Sequence, residues 1–348
     1  MSAGIPTDIA ALAPLLGKEV ARLGGTPSIR SLASGQSNPT FLLEGPQGNA
    51  VLRTQPAGAR LKGAHAVDRE YQVMKALAGT KVPVPEMLHK GGEDSTLDRR
   101  YIVMELVEGI THWDPALPGM TPVERASIYD AMCILLADLH DVSPEAIGLG
   151  DYGRPGNYFD RQFATWQRQY RATETGTNED VERVIVWLAD NQPPDDGKAS
   201  LVHGDFRIDN MIFAPGSLKI QALLDWELST LGHPYADLAY QCMQWRLPNN
   251  NAFKGLGGID RAGCGIPGEQ EYVARYCELR RIPSIENWSY YLVFSFFRLI
   301  AILQGIYRRY LDGNAANAET ALRYGETVPI LAALAVEEID NGAQISIR

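Results

Sequence analysis

Positive charge is in short supply in this chain. Lys and Arg total 32 against 42 Asp and Glu over 348 residues, a formal net charge of −10. Binding a nucleic-acid backbone needs a basic footprint, so no nucleic acid is expected as a partner. Cysteine is scarce too: Cys133, Cys242, Cys264 and Cys277 are scattered, with no C-x-x-C pair. That spacing excludes a zinc ribbon or a disulfide framework and reads as reduced thiols in a cytoplasmic protein. Long unbroken apolar runs are missing. The most apolar stretch, Tyr290 to Tyr307, is interrupted by Arg298 and Gln304, which leaves too little to span a bilayer, so a buried helix without membrane contact is expected. The N-terminus shows no basic segment followed by an apolar one, so no signal peptide is expected. Internal repeats and low-complexity tracts are absent. Hydrophobic residues make up 45%, an ordinary globular share, and the length allows two lobes with their own cores.

What is present concentrates between Leu201 and Asp237, where His203, Asp205, Asn210 and Asp225 surround two short apolar runs. Leu201 and Val202 read as the end of a buried strand. Met211 to Phe213 and Ile220 to Leu224 read as a hairpin with Pro215 and Gly216 in its turn. Folding back in this way brings Asn210 and Asp225 close together, with Asp205 facing the same point. A carboxylate and a carboxamide that converge suit a hard cation such as Mg²⁺. A further carboxylate nearby is free to accept a hydroxyl proton. Phosphoryl transfer from a nucleotide asks for those parts. Asp205-Phe-Arg-Ile-Asp-Asn210 also repeats the Asp, four residues, Asn spacing of the protein-kinase catalytic loop, and Asp225 stands where the later metal-binding Asp falls.

Three motifs succeed one another: His203-Gly-Asp205 with Asn210, then Leu224-Asp225-Trp226-Glu227, then Gly232-His-Pro-Tyr-Ala-Asp237. In these the chain resembles the aminoglycoside-phosphotransferase-like kinase family. It is most similar to the kinase-like group found alone in bacteria or fused to acyl-CoA dehydrogenases. The resemblance runs from about Ser31 to the helices near Tyr310. It implies an α+β, two-lobe protein-kinase-like fold. An N-terminal nucleotide-binding lobe of antiparallel sheet plus helix is expected over residues 1–107, and a larger, mainly helical lobe with the catalytic hairpin over 108–348. It also implies ATP and Mg²⁺ as cofactors.

The N-terminal stretch fits that expectation. Asp8 to Leu23 carries apolar residues at helical spacing, ended by Gly24-Gly25. Strands are expected at Ser28–Ala33, Thr40–Glu44 and Ala50–Thr54. In a kinase of this type the turn Ser34 to Pro39 lies over the nucleotide phosphates, with Gly35 allowing close approach and Ser37 and Asn38 donating hydrogen bonds; otherwise it is a plain hairpin turn. Arg53 stands where kinase folds usually carry a Lys, and Glu70, on a helix expected over Ala64–Ala78, is its candidate partner. Arg binds phosphate bidentately, so the role survives the exchange. The other reading is a surface Arg beside a solvated Glu. Thr80 to Pro85 is a stiff connector before a strand at Glu86 to Leu88. Arg100 to Val107 reads as a buried strand, at whose end the backbone of Glu105 to Val107 would meet the adenine edge.

From Thr121 the chain reads as helices. Thr121-Pro-Val-Glu124 is a capping box, and helical spacing continues to His140. Tyr158 to Tyr170 is aromatic-rich, which points to core packing ahead of a stacking platform. Further helices are expected at Val181–Ala189, Tyr235–Arg246, Glu269–Arg280, Asn287–Tyr310 and Ala316–Ala335, with a loop from Asn249 to Gly268 bordering the acceptor site.

Asp205 is the candidate base, the alternative being a loop Asp in an Asx turn. Asn210 and Asp225 are the candidate Mg²⁺ ligands, and Glu227 either assists through water or is solvated. Arg207 steadies phosphate or an acidic substrate, or is a solvated loop Arg. Asp237 caps backbone N–H groups or holds the catalytic loop. His203 invites a metal-ligand reading and hence a phosphohydrolase. Neither His140 nor His233 makes a ligand spacing with it, so a structural role on the loop backbone is preferred. The expected activity is transfer of the ATP γ-phosphate to a small-molecule hydroxyl, a hydroxyacyl compound ahead of an aminoglycoside. The alternative is a silent pseudokinase that holds nucleotide or ligand. No activation segment leads to an A-P-E motif after Asp225, which argues against a protein kinase.

Overall fold

The computed structural model describes residues 5–32, 38–56, 67–92, 99–154, 156–250, 254–261, 263–314 and 317–342. In chain order the elements are α1 (Thr7–Ala10), α2 (Ala13–Glu19), β1 (Ser28–Leu32), β2 (Thr40–Glu44), β3 (Asn49–Thr54), α3 (Val67–Leu77), β4 (Met87–Gly91), β5 (Tyr101–Glu105), α4 (Pro122–Asp141), α5 (Tyr158–Thr173) and α6 (Glu179–Asp190). They continue with β6 (Ser200–Val202), β7 (Met211–Phe213), β8 (Ile220–Leu223), β9 (Thr230–Gly232), α7 (Tyr235–Met243), α8 (Glu269–Arg280), α9 (Trp288–Leu311) and α10 (Ala318–Asn341). Two compact units result. One joins Met1–Ile110, Ile147–Leu149 and Asn210–Ser229; the other joins Thr111–Ala146, Gly150–Asp209 and Thr230–Arg348.

An antiparallel sheet in the order β1-β2-β3-β5-β4 forms the first unit. Side chains alternate across a strand, so Phe41, Leu43, Leu52 and Val103 fall on one face. There they share a buried cluster with Ile9, Leu12, Leu16 and Leu23. Val51, Arg53 and Met104 take the alternate positions. The expected single helix from Asp8 to Leu23 is broken into α1, α2 and a 3₁₀ turn at Ala21–Leu23. Pro14 is the reason: it lacks an N–H and its ring excludes the preceding turn, so a new helix starts around it. The start expected for α3 at Ala64 lies outside the described residues.

The hairpin β7–β8 belongs to this unit, not to the second lobe where a division after residue 107 would put it. Backbone bonds hold it there: Ile110 and Phe213 exchange N–H···O bonds of 2.9 Å, and Leu223 N donates to Pro83 O at 2.8 Å. Such long-range pairings leave no mark on local spacing.

The second unit is built around α9. From Trp288 to Ala301 every side chain is buried, on all faces of the helix, as expected of an element enclosed by others. α5, α6, α7 and α10 pack against it. By length and apolarity it is a helix able to cross a membrane, yet 83% of its most apolar window is buried inside the protein. α4 begins with the expected capping box: Thr121 N donates to Glu124 Oε2 at 2.7 Å, and Glu124 N donates to Thr121 Oγ1 at 3.3 Å. The stretch after Asp225, expected to be loop throughout, contains a 3₁₀ turn and the strand β9, which pairs antiparallel with β6. Of the expected loop from Asn249 to Gly268, residues 251–253 and 262 lie outside the described residues.

Candidate active site

In the first unit the sheet positions the charged end of a cleft. The pleat of β3 that turns Leu52 to the core turns Arg53 the other way. On α3, Glu70 and Met74 are four apart and so share a face. Both line a cavity of about 200 Å³ with Arg53. Leu32, Val51, Met104, Ile212 and Leu224 make its apolar walls, and Arg53, Glu70 and Asp225 its polar end. Glu105 and Val107, at and just beyond the end of β5, also border it.

Arg53 bridges two carboxylates. Its Nε lies 3.0 Å from Glu70 Oε2, and its terminal nitrogen lies 2.6 Å from Asp225 Oδ1. Burial works against the Arg53 cation, but Glu70, then Asp225 and Glu227, hold it above the ordinary arginine value. Glu70 is 1% exposed. Burial pushes its carboxyl up to about 7, against the pull of Arg53 and helped by Asp225 and Glu227. Asp225 adopts the left-handed conformation, φ 66°, at the start of the 3₁₀ turn Trp226–Leu228. Asp tolerates that region better than most residues, and the strain aims its side chain at Arg53.

Asn210 and Asp225 come together as the hairpin reading required: Leu224 N donates to Asn210 O at 2.8 Å, beyond the Met211–Leu223 pair. Glu70, Asp225 and Glu227 offer carboxylate oxygens within 4.8 Å of one another. An all-oxygen set fits a hard divalent cation such as Mg²⁺ and not zinc, which prefers nitrogen and sulfur. Glu227 is thus neither a solvated loop residue nor isolated. Asn38 departs from its expected role as a phosphate donor. It is fully buried, and its Nδ2 donates to Glu70 Oε1 and to Glu227 Oε2, both at 3.2 Å. Gly35 and Ser37 lie outside the described residues.

In the second unit β6 leads into the HGD loop. Asp237 in the first turn of α7 is fully buried and accepts from His203 N at 2.6 Å and Gly204 N at 2.8 Å. Burial alone would raise its carboxyl; the His140 hydrogen bond and charge, His203 and the Gly204 N–H hold it below the ordinary value. Gly204 sits at φ 86°, which a residue with a Cβ adopts only under strain. His203, fully buried, accepts from Asp205 N through Nδ1 at 3.2 Å, a loop-fastening contact in line with its structural reading.

Asp205 stands among cations. Burial would raise its carboxyl, but Arg207 first, then His203, Arg298 and a hydrogen bond from Tyr240, keep it below the ordinary carboxylate range. Arg207 is not a solvated loop residue: its Nε lies 3.6 Å from Asp205 Oδ1 and it hydrogen-bonds Asp209. Tyr240 and Arg298 escaped the sequence reading as site residues. For Arg298 a signal existed, a lone cation inside the most apolar run of the chain; Tyr240, inside a helix of ordinary spacing, gave none.

A family model described as "Phosphotransferase enzyme family" matches residues 28–271. Acyl-CoA dehydrogenase family member 10 of Mus musculus is 44% identical over 302 residues, 86% of this chain and 28% of that protein. The chain spans only 28% to 40% of the length of this and two further curated relatives. A crystal structure from Ralstonia eutropha JMP134, described as a candidate aminoglycoside phosphotransferase, is 41% identical, covers 96% of this chain and 98% of its own, and superposes with a TM-score of 0.86. Aminoglycoside phosphotransferase APH(4)-Ia, in a ternary complex with ADP and hygromycin B, is 15% identical with a TM-score of 0.57 over 90% of this chain and 96% of its own, a likeness of fold.

Proposed function

The chain belongs to the phosphotransferase enzyme family, and we propose that it transfers the γ-phosphate of ATP, with Mg²⁺, to a hydroxyl of a small molecule. The observation that carries this reading is the cleft of the first unit, with apolar walls suited to a base and a polar end of Arg53, Glu70 and Asp225 suited to phosphates and a cation. The complex of APH(4)-Ia with ADP supports a nucleotide as donor.

Each residue has a separate task. Glu70 orients Arg53, which binds phosphate oxygens. Asp225 and Asn210 would hold the cation, with Glu227 supplying further negative charge beside Asp225. A bound Mg²⁺ would supply charge neutralisation for the phosphates at these residues. Asp205, kept ionised by its cationic neighbours, accepts the proton of the acceptor hydroxyl. Asp237 and Gly204 hold the loop that carries it. A hydroxyacyl compound is favoured over an aminoglycoside because curated relatives at 44% and 42% identity are named as acyl-CoA dehydrogenase family members. Four unpaired cysteines, three of them buried, support a reducing compartment such as the cytoplasm.

Silent nucleotide binding is the second reading. It draws on the direct 2.6 Å contact of Arg53 with Asp225, an oxygen that a cation would otherwise use. Calorimetric titration of ATP with and without Mg²⁺ tests the donor site: binding is expected to require Mg²⁺ and to weaken about tenfold or more in Asp225→Ala, a loss of about 1.4 kcal/mol or more. ADP release across hydroxyl acceptors, with Asp205→Ala as the inactive control, separates the two readings. No nucleotide binding under either condition would sink both.

A further inference from the structure

Arg298 is the residue that the roles above leave unexplained. It is 7% exposed, in the middle of α9. Its guanidinium lies 5.1 Å from the centre of the Tyr240 ring and 5.6 Å from that of Trp166. Buried arginines are almost always paired, because an unpaired buried charge loses its hydration without compensation. Among the described residues no carboxylate lies within ion-pair distance of Arg298. Two aromatic faces offset part of that cost, about 0.5–2 kcal/mol each. Arg207, by contrast, is engaged by Asp205 and Asp209.

Arg298 still acts on Asp205 electrostatically, and Tyr240 joins the two: its ring meets the guanidinium and its hydroxyl bonds the Asp205 carboxylate. The second unit therefore sets an aromatic-flanked cation, with no carboxylate partner among the described residues, beside the candidate base. A polycationic acceptor would be repelled there. We propose that Arg298 binds an anionic group of the acceptor, so that the acceptor is a hydroxyl compound bearing a carboxylate or phosphate, and that this residue selects against aminoglycosides. The catalytic half of the proposal rests on the phosphotransferase reading; the binding half does not. Two sources of the anion share the chemistry: the free carboxylate of a hydroxy acid, and the phosphates of its CoA thioester.

The test uses the full chain, Arg298→Met and Arg298→Lys, with hydroxybutyrate, its methyl ester and its CoA thioester as acceptors. Calorimetric titration of hydroxybutyrate without nucleotide reads binding alone. ADP release with ATP and Mg²⁺ then gives KM and kcat for each acceptor. Arg298→Met is expected to raise KM about 10- to 100-fold for the anionic acceptor, the range of a charge-assisted hydrogen bond, with a smaller change in kcat. Arg298→Lys recovers part of the loss, which also shows that the site still folds without the arginine. A KM effect on the free acid and none on the ester assigns the carboxylate; an effect on the thioester, with the free acid a poor acceptor, assigns its phosphates. Equal losses of kcat for charged and neutral acceptors would overturn the proposal and leave Arg298 a residue that only tunes Asp205. Binding that depends on Arg298 without ADP release from any acceptor would overturn the phosphotransferase reading and leave this one standing.

Discussion

The base role proposed for Asp205 needs an ionised carboxylate, and its surroundings favour that form. Arg207, His203, Arg298 and Tyr240 together outweigh its burial and keep the carboxyl below the usual carboxylate value. The acid limb of kcat/KM is therefore expected below an ordinary aspartate pKa of about 4. Asp205→Asn removes the proton acceptor at nearly constant shape, so kcat is expected to fall about 10²–10⁴-fold while nucleotide affinity stays unchanged. Steady-state kinetics beside ATP titration checks both halves; a matching loss of nucleotide binding would show that the substitution disturbs more than the base. At this scale the sequence was informative where function tracks spacing. Asp205, Asn210 and Asp225 announce themselves by their spacing, and the hairpin brings Asn210 and Asp225 close together within the first unit. The Arg53–Glu70 pair was legible as a pairing but not as a bridge to Asp225, since that contact joins residues far apart in the chain. Arg298 showed only as a break in hydrophobicity, because what gives it meaning is its place between the Trp166 and Tyr240 rings, a contact of residues far apart in the chain.

Among the elements, the hairpin β7–β8 decides whether Asn210 and Asp225 reach the first unit. Its attachment leaves no room beside Gly109, where an added Cβ would come within 2.4 Å of the Phe213 carbonyl oxygen and 2.3 Å of Ile212 Cγ2. Backbone cannot yield to such a contact without breaking the Ile110–Phe213 exchange. Gly109→Ala is expected to cost about 1–3 kcal/mol of stability. It should also weaken Mg²⁺-dependent ATP binding, although the residue carries no functional group. Denaturant unfolding and ATP titration of the variant measure the two effects; wild-type values for both would mean that the hairpin is not held as described. The strands of the hairpin were readable from their apolar runs and the Pro215-Gly216 turn. β9 was not, because Thr-Leu-Gly offers one apolar residue and takes its strand form from pairing with β6. The break between α1 and α2 was visible in Pro14, but the apolar period of the surrounding residues runs through it and masks the stop.

Across the whole molecule, two buried ionisable groups set opposing dependences of stability on pH. Glu70 is an acid raised by burial from about 4.5 to about 7. Between those values the folded protein keeps a proton that the unfolded chain has lost, so this contribution is complete at low pH and disappears as pH rises toward 7. His233 is a base lowered by burial from 6.5 to about 4, with Asp196 pulling the other way. Here the unfolded chain takes up the proton first, so the contribution is complete above 6.5 and disappears as pH falls toward 4. Each shift corresponds to roughly 3 kcal/mol at about 1.36 kcal/mol per unit. The groups belong to different units, and Glu70 bonds Arg53 and Asn38 while His233 bonds Asp196 and stacks on Tyr291, so their effects should add. Between about pH 4.5 and 6.5 the two slopes act against each other in the wild-type protein. Glu70→Gln removes the falling one and should leave a protein whose stability rises with pH more steeply than wild type. His233→Asn removes the rising one and should leave the reverse. Denaturant unfolding of the wild type, both single variants and the double variant at several pH values in this window reads the slopes directly, with every other titrating group cancelling in the differences. Single-variant slopes displaced in the same direction would mean that one of these groups titrates in the opposite sense to its burial. Displaced in opposite directions, and restored toward the wild-type slope in the double variant, they would identify the pH response of each unit with one buried side chain.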